Sequence, residues 1–282
     1  MVKILVDSTN DIMPDMLEKL GVEVIPLYVN FDEDTYKDGV DITTPNLYKE
    51  VEKRKKLPKT AAATVGDFLE VFQKYIDNGD EIVFTGISKE MSSTYNNAII
   101  AAKEVAEDKI FVVDSKNLST GIGLLILKAC KDRDNGLSAK EIAERMKKNT
   151  DLVLSQFAIE SMEYLYKGGR CSSLSKIIGS MLRIKPIIQV REGKMSVQQK
   201  PIGKMKRALD KMLEQIIKDK DRLDPDHIFL THSIAPESRD YLLPLLKENF
   251  PNVDIIETVA GCVVSSHCGP GTIGILYMIK DN

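Results

Sequence analysis

The chain has 282 residues, of which 43% are hydrophobic and 29% charged, with a formal net charge of −3. That length accommodates two moderate domains, and that composition is ordinary for a globular protein, which excludes disordered and membrane classes. The slightly negative balance supplies no field for phosphates, so no nucleic-acid partner is expected. No run of about eighteen apolar residues suggests a membrane span, and the apolar start "KILV" is too short for a signal segment, so the sequence reads as cytoplasmic.

In chain order, apolar β-like runs alternate with amphipathic helical stretches. "VKILVDS", "VEVIPLYVNF", "EIVFTGIS" and "KIFVVDS" read as strands, each followed by a helix. Thr44 with Pro45 opens "NLYKEVEKR", Thr64 opens "VGDFLEVFQKYI", and Ser138 with Glu141 forms a capping box for "KEIAERMKK". Further on, "DLVLSQFAI", "IKPIIQV", "HIFLTHS", "VDIIETV" and "TIGILYMI" read as strands, and "IIQVREGKMSVQQK" as a hairpin turning at Glu192-Gly193. The pattern predicts an α/β protein of two domains, residues 1–151 with a mainly parallel sheet between helix layers and residues 152–282 with a mixed sheet. The basic runs "EKRKKLPK" and "KMKRALDKMLEQIIKDKDR" carry interspersed acids and read as solvated helix faces.

Cys130, Cys171, Cys262 and Cys268 form no C-x-x-C pair, and with three scattered histidines they make no metal site, so reduced thiols are expected. Several strands end in hydroxyls: Ser8 and Thr9, Ser88, Ser115, Ser233, and Ser265-Ser266 before His267. In an open α/β sheet such ends line ligand sites, yet serine and threonine are equally helix caps, and both roles stay open for each. Ser92, Ser93 and Thr94 enter a helix where hydroxyls and free N–H groups suit a small anion. The loop after Ser92 has no lysine or arginine and no P-loop pattern, so a carboxylate fits better than a nucleotide triphosphate. The G-x-G of "STGIGLLIL" reads as close helix packing. Arg170 behind Gly168-Gly169 either faces a planar anion or forms a surface salt bridge, and His267 beside Gly-Pro-Gly lies at a cleft or at a strand end.

The strings "DSTND", "SSTYNNA", "DSK" with "STGIG", "YLYKGGRCSSLSKIIGSMLRIKPII" and "HCGPGTIGI", in this order over nearly the whole chain, resemble the DegV family of fatty-acid-binding proteins of bacterial fatty acid kinase systems. The resemblance implies an N-terminal α/β/α domain and a C-terminal α/β domain with a fatty acid buried between them, its carboxyl near the surface, and no cofactor. It places Ser92 and Thr60 on the carboxylate, with Ser93 adding a hydroxyl where the family has glycine. Ala61, Ala62 and Ala63 depart from the family pattern. It puts Arg170 and His267, as cations at the mouth, beside the carboxyl that receives phosphate. Met181 and Leu182 fall in the segment expected near the tail. The partners implied are the fatty acid, the ATP-binding kinase subunit, an acyltransferase and transient contact with a membrane surface. The competing reading is an acyl-transfer or hydrolytic enzyme in which Cys268 or a serine is activated by His267; the lack of a G-x-S-x-G elbow and the adjacency of the two residues weigh against it.

Overall fold

The computed structural model describes residues 1–170 and 184–281. Cys171, Met181 and Leu182 therefore lie outside the described residues.

The N-terminal half is a four-stranded, fully parallel sheet in the order β2-β1-β6-β7, formed by β1 (Val2–Asp7), β2 (Glu23–Ile25), β6 (Glu81–Gly86) and β7 (Ile110–Asp114). Its strands are apolar on both faces, as a sheet covered on both sides requires. Ile4 and Val6 face one layer, with α1 (Pro14–Leu20), α5 (Thr120–Asp134) and α6 (Ala139–Asn149). Leu5 faces the other, with α2 (Thr44–Arg54), α3 (Val65–Asp77) and α4 (Thr94–Val105). Ser138 closes a capping box with Glu141, as the sequence pattern predicts, and Thr64, expected to open its helix, closes a second one with Asp67.

One expectation is corrected. The run "VEVIPLYVNF" is not a single strand of the parallel sheet: it breaks after β2, and Tyr28–Phe31 (β3) joins Asp34–Lys37 (β4) and Lys59–Ala61 (β5) in a separate antiparallel sheet. Pro26 has no N–H to give to a ladder, and the N–H of Leu27 donates instead to Ser8 Oγ at 3.1 Å.

The C-terminal half is a six-stranded mixed sheet, ordered β10-β9-β8-β13-β11-β12, from β8 (Val153–Ala158), β9 (Ile187–Arg191), β10 (Lys194–Gln199), β11 (Leu223–Ser233), β12 (Asp254–Val259) and β13 (Thr272–Ile279). Only β11 with β12 is a parallel pair. The hairpin turns at Glu192 and Gly193, both with positive φ (50° and 77°), the conformation that matches strand twist. Helices α8 (Met205–Lys218) and α9 (Pro236–Asn249) cover one face of this sheet. The short α7 (Glu163–Lys167) follows β8, and α10 (Cys262–Cys268), between β12 and β13, contacts α7 as well as α2, β3 and β5 of the N-terminal half.

Helix α5 is the partition between the two sheets. It is apolar around most of its circumference, and Ile122, Leu125 and Ile126 share one core with strands of both sheets. Its glycines are there for space: a Cβ on Gly121 would lie 2.2 Å from Asn117 Oδ1 and 2.7 Å from Ser155 Oγ, and one on Gly123 3.0 Å from Ile12 Cγ1. The close-packing reading of G-x-G is thus the one the fold uses. Gly121→Ala should break the Asn117–Ser155 hydrogen bond (2.7 Å) or displace α5, at a cost of about 1–3 kcal/mol. Calorimetry should show a lower Tm, by roughly 3–8 °C; an unchanged Tm would mean that the helix has room to move.

Candidate functional site

The site is built around α10. The residues that make it, "CVVSSHC", are poor helix formers, and its N-cap is Gly261, which offers no side-chain cap. The missing acceptors come from far away in sequence. Asp11 Oδ1 accepts from the N–H of Gly261 (2.7 Å), while Asp38 accepts from those of Cys262 (2.8 Å) and Val263 (3.3 Å). Asp11 is also held by the Ser119 hydroxyl, and Asp38 by that of Ser8 (2.9 Å). Ser265 and Ser266, expected at a strand end, therefore sit inside a helix, where their hydroxyls bond to the carbonyls of Ala260 (3.1 Å) and Cys262 (2.6 Å). Being capped from outside, the segment winds up instead of extending.

Burial without a nearby cation pushes these carboxyls upward: Asp7 to about 6, Asp11 to about 8, and Asp38 in the same direction. The other expected strand-end hydroxyls are largely consumed by the fold. Thr9 donates to Asp7 (2.6 Å), Ser115 Oγ accepts from the Asn117 N–H (3.0 Å), Ser88 Oγ accepts from the Glu90 N–H (3.2 Å), and Ser233 bonds to Tyr48 (2.5 Å) and Ser265 (2.7 Å).

At the other end of α10, His267 lines a cavity between the two halves, with about 80 Å³ open to the centre of a water-sized molecule. Met91, Leu118, Phe157, Leu165, Met195 and Leu276 give it largely apolar walls. Thr60, Ser92, Arg170 and His267 all line it, so four residues separated by up to 207 positions converge. Thr60 Oγ1 lies 2.8 Å from His267 Nε2. Ser92 Oγ lies 2.9 Å from Thr94 Oγ1 and accepts from the Thr94 N–H (3.3 Å) at the start of α4. Ser93 is exposed, is the N-cap of α4 without a side-chain capping bond, and does not line the cavity. Ala61 and Ala62 do line it, adding no polar group.

Arg170 donates from Nη1 to the Gly168 carbonyl (2.8 Å), has no carboxylate partner among the described residues, and follows Gly168, the C-cap of α7. His267 is corrected in charge: burial, with the Arg170 guanidinium adding to it, holds the imidazole at about 4, so at neutral pH it is uncharged. Of the two expected cations at the mouth, only Arg170 is one.

These features meet a known pattern. Residues 1–280 match the family model described as "Uncharacterised protein, DegV family". The chain belongs to the DegV family. A DegV domain-containing protein of Clostridium acetobutylicum is 34% identical over 281 residues, with 99% of each chain covered. Among solved structures, a fatty-acid-binding DegV family protein from Thermus thermophilus superposes with a TM-score of 0.90 at 26% identity, and a stearic-acid-binding protein from Eubacterium ventriosum with 0.90 at 27%, each covering 99% of both chains. The two-domain α/β architecture is shared with these DegV structures.

In this DegV-family chain the thiol of Cys268 is not set up as a nucleophile. Burial pushes it up to about 12, the reverse of what a reactive thiolate needs, and the His267 imidazole is bonded to Thr60 instead. Sequence reasoning missed Asp11 and Asp38; the signal was a helix-length gap between two strands whose own start, Ala260-Gly261, has no capping side chain.

The buried carboxyls give the fold a pH signature. Asp11 binds its proton more tightly folded than unfolded, so its contribution favours the fold at low pH and declines as pH rises from about 4 to about 8. His267 acts in the opposite sense between about 4 and 6.5. Asp11→Asn removes the first effect and leaves the second. Its stability relative to the unsubstituted protein should therefore improve by on the order of 1–3 kcal/mol between pH 5 and pH 8. Parallel denaturant titrations over that range would refute the assignment if the gap stayed constant.

Proposed function

We propose that this protein binds a long-chain fatty acid in the cavity between its halves and presents the carboxyl to a separate ATP-dependent kinase, the acyl phosphate then passing to an acyltransferase. The observation that carries the reading is the composition of one cavity: a largely apolar lining on which the hydroxyls of Thr60 and Ser92, the uncharged imidazole of His267 and the Arg170 guanidinium, without a carboxylate partner among the described residues, come together, with Ser119, Thr231, His232, Ser233 and Thr272 also on its walls. The related proteins from Thermus thermophilus and Eubacterium ventriosum bind fatty acids in the same fold. Residues 1–151 and 152–282 are taken as the two functional domains.

In this reading the tail supplies affinity and the mouth supplies orientation. Burying about fifteen methylenes at about 0.8 kcal/mol each yields on the order of 12 kcal/mol, against several kcal/mol of lost motion. A carboxylate leaving water costs several kcal/mol unless hydrogen-bonded. Thr60 and Ser92 offset that cost, and Ser93, pointing to solvent, takes no part. Arg170 has a different task. A carboxylate already held by hydroxyls gains little from it, whereas phosphoryl transfer develops further negative charge at the mouth, where the guanidinium is the available cation.

Ser92→Ala and Thr60→Val should each weaken fatty-acid binding by about tenfold or more, as loss of one charge-assisted hydrogen bond requires. Arg170→Ala should keep its lipid within a few fold yet slow acyl-phosphate formation by the cognate kinase by about tenfold, equivalent to about 1.4 kcal/mol at the barrier. Native mass spectrometry reports occupancy and any covalent acyl adduct on the same preparations. Lipid-free protein after incubation with oleate and palmitate would sink the binding reading, a covalent acyl mass would revive the enzyme reading, and wild-type turnover in lipid-loaded Arg170→Ala would remove the role given to Arg170.

A further inference from the structure

The His267 ring makes one hydrogen bond and lacks another. Nε2 meets Thr60 Oγ1 at 2.8 Å, while Nδ1 is buried with no hydrogen-bond partner among the described residues. Gly168, which follows α7, closes off that side. A Cβ at Gly168 would lie 2.2 Å from His267 Nδ1 and 2.9 Å from Cε1, a separation no side chain tolerates. Gly168 itself has φ −75° and ψ −4°, an ordinary helical conformation, so glycine is required there for space and not for backbone freedom. Both of its polar groups are engaged elsewhere: its N–H donates to the Tyr164 carbonyl (2.8 Å), and its carbonyl accepts from Arg170 Nη1 (2.8 Å). Toward the imidazole it presents carbon.

A neutral imidazole has one N–H to place. On Nδ1 it would be a buried donor with no acceptor, and Nε2 would then take the Thr60 hydrogen inward, away from any anion in the cavity. On Nε2 the donor is satisfied by Thr60 Oγ1, and what stays unpaired at Nδ1 is a lone pair. An unmatched buried N–H is rarer and costlier than an unmatched acceptor. We propose that Gly168 is a positioning residue that sets the tautomer of His267, making Nε2–H the resident form so that the imidazole donates to Thr60 and the Thr60 hydroxyl hydrogen is turned into the cavity. The low proton affinity of the ring keeps this neutral form in place across the physiological range. The tautomer assignment stands on the geometry alone, whereas its use, a directed donor for a carboxylate, rests on the fatty-acid reading.

The chain has only three histidines, His227, His232 and His267, so 15N-histidine-labelled protein gives a spectrum in which His267→Gln identifies the signals of interest. At pH 7 the expected pattern for His267 is a pyridine-type Nδ1 and a pyrrole-type Nε2. A pyrrole-type Nδ1, or an imidazolium, overturns the proposal, and this measurement needs no variant of Gly168 to fold. In Gly168→Ala the crowded ring should lose that signature, and oleate should bind about tenfold more weakly; a wild-type spectrum and affinity would overturn the part given to Gly168. His267→Gln, whose side-chain amide can offer a donor near the Nε2 position, should recover most of the oleate affinity lost in His267→Ala. A glutamine variant as weak as the alanine variant overturns the donor direction. Unsubstituted protein that shows the expected tautomer and yet takes up neither oleate nor palmitate would discard the lipid reading and leave the assignment of His267 intact.

Discussion

Two buried aspartate side chains at the start of one short helix hold the site together. Asp11 and Asp38 belong to the N-terminal half, and the three successive N–H groups they accept from, those of Gly261, Cys262 and Val263, belong to the C-terminal half. Seven residues of low helix propensity wind into α10 because their first turn is capped from across the domain boundary. Without that capping the chain between β12 and β13 would have no reason to coil. His267 would then lose the axis that aims it at Thr60, itself a residue of the N-terminal half. The helix is therefore a joint as much as a scaffold: the same element fastens the two halves at one end and displays the imidazole at the other.

The rest of the seam is made in the same style. Thr44 donates to the Ala260 carbonyl (2.6 Å), Tyr48 reaches Ser233 (2.5 Å), Thr120 meets Thr231 (2.6 Å), and Ser155 donates to Asn117 (2.7 Å). These are short hydroxyl and amide contacts in buried surroundings, where an unmatched group is costly and a matched one fixes geometry. The seam also carries one half-buried ion-pair cluster, in which Lys128 of α5 donates to Asp224 (2.7 Å) and Asp226 (2.8 Å) of β11, whereas pairs such as Arg54 with Glu50 and Asp34, or Lys206 with Asp210, lie on the outside and contribute little. A seam of hydrogen bonds specifies one relative placement of the halves, which a purely apolar seam would leave freer to slide.

Much of this was legible in the sequence, for local reasons. Alternation of apolar runs and capped amphipathic stretches is a short-range signal, so the α/β class, the helix start at Thr64, the capping box at Ser138 and the hairpin at Glu192-Gly193 follow from neighbours in the chain. The resemblance in ordered motifs pointed to Thr60, Ser92, Arg170 and His267, and the cavity brings these four together. What escaped depends on distance. Ser8, Thr9 and Ser115 end strands in the way ligand residues do, and only the folded network reveals that Asp38, Asp7 and Asn117 already occupy them. Pro26 announced a break in a strand, but not that the second piece would found another sheet. The charge of His267 was misjudged because proton affinity is set by burial and by the Arg170 guanidinium, and neither can be read from its neighbours in the chain.

The cavity lies where the two halves meet, walled by residues from both. Its filling is consequently linked to how long a copy of the protein lasts. A molecule that occupies the space only in the folded state deepens the native well by RT ln(1 + [L]/Kd), about 2.7 kcal/mol at a hundredfold excess over Kd. An unloaded copy has the same covalent structure and a shallower well, opens more often, and meets proteases in that state more often. On the function proposed above, the steady-state amount of the protein then follows the supply of its ligand, with empty copies cleared ahead of filled ones and no separate regulator required.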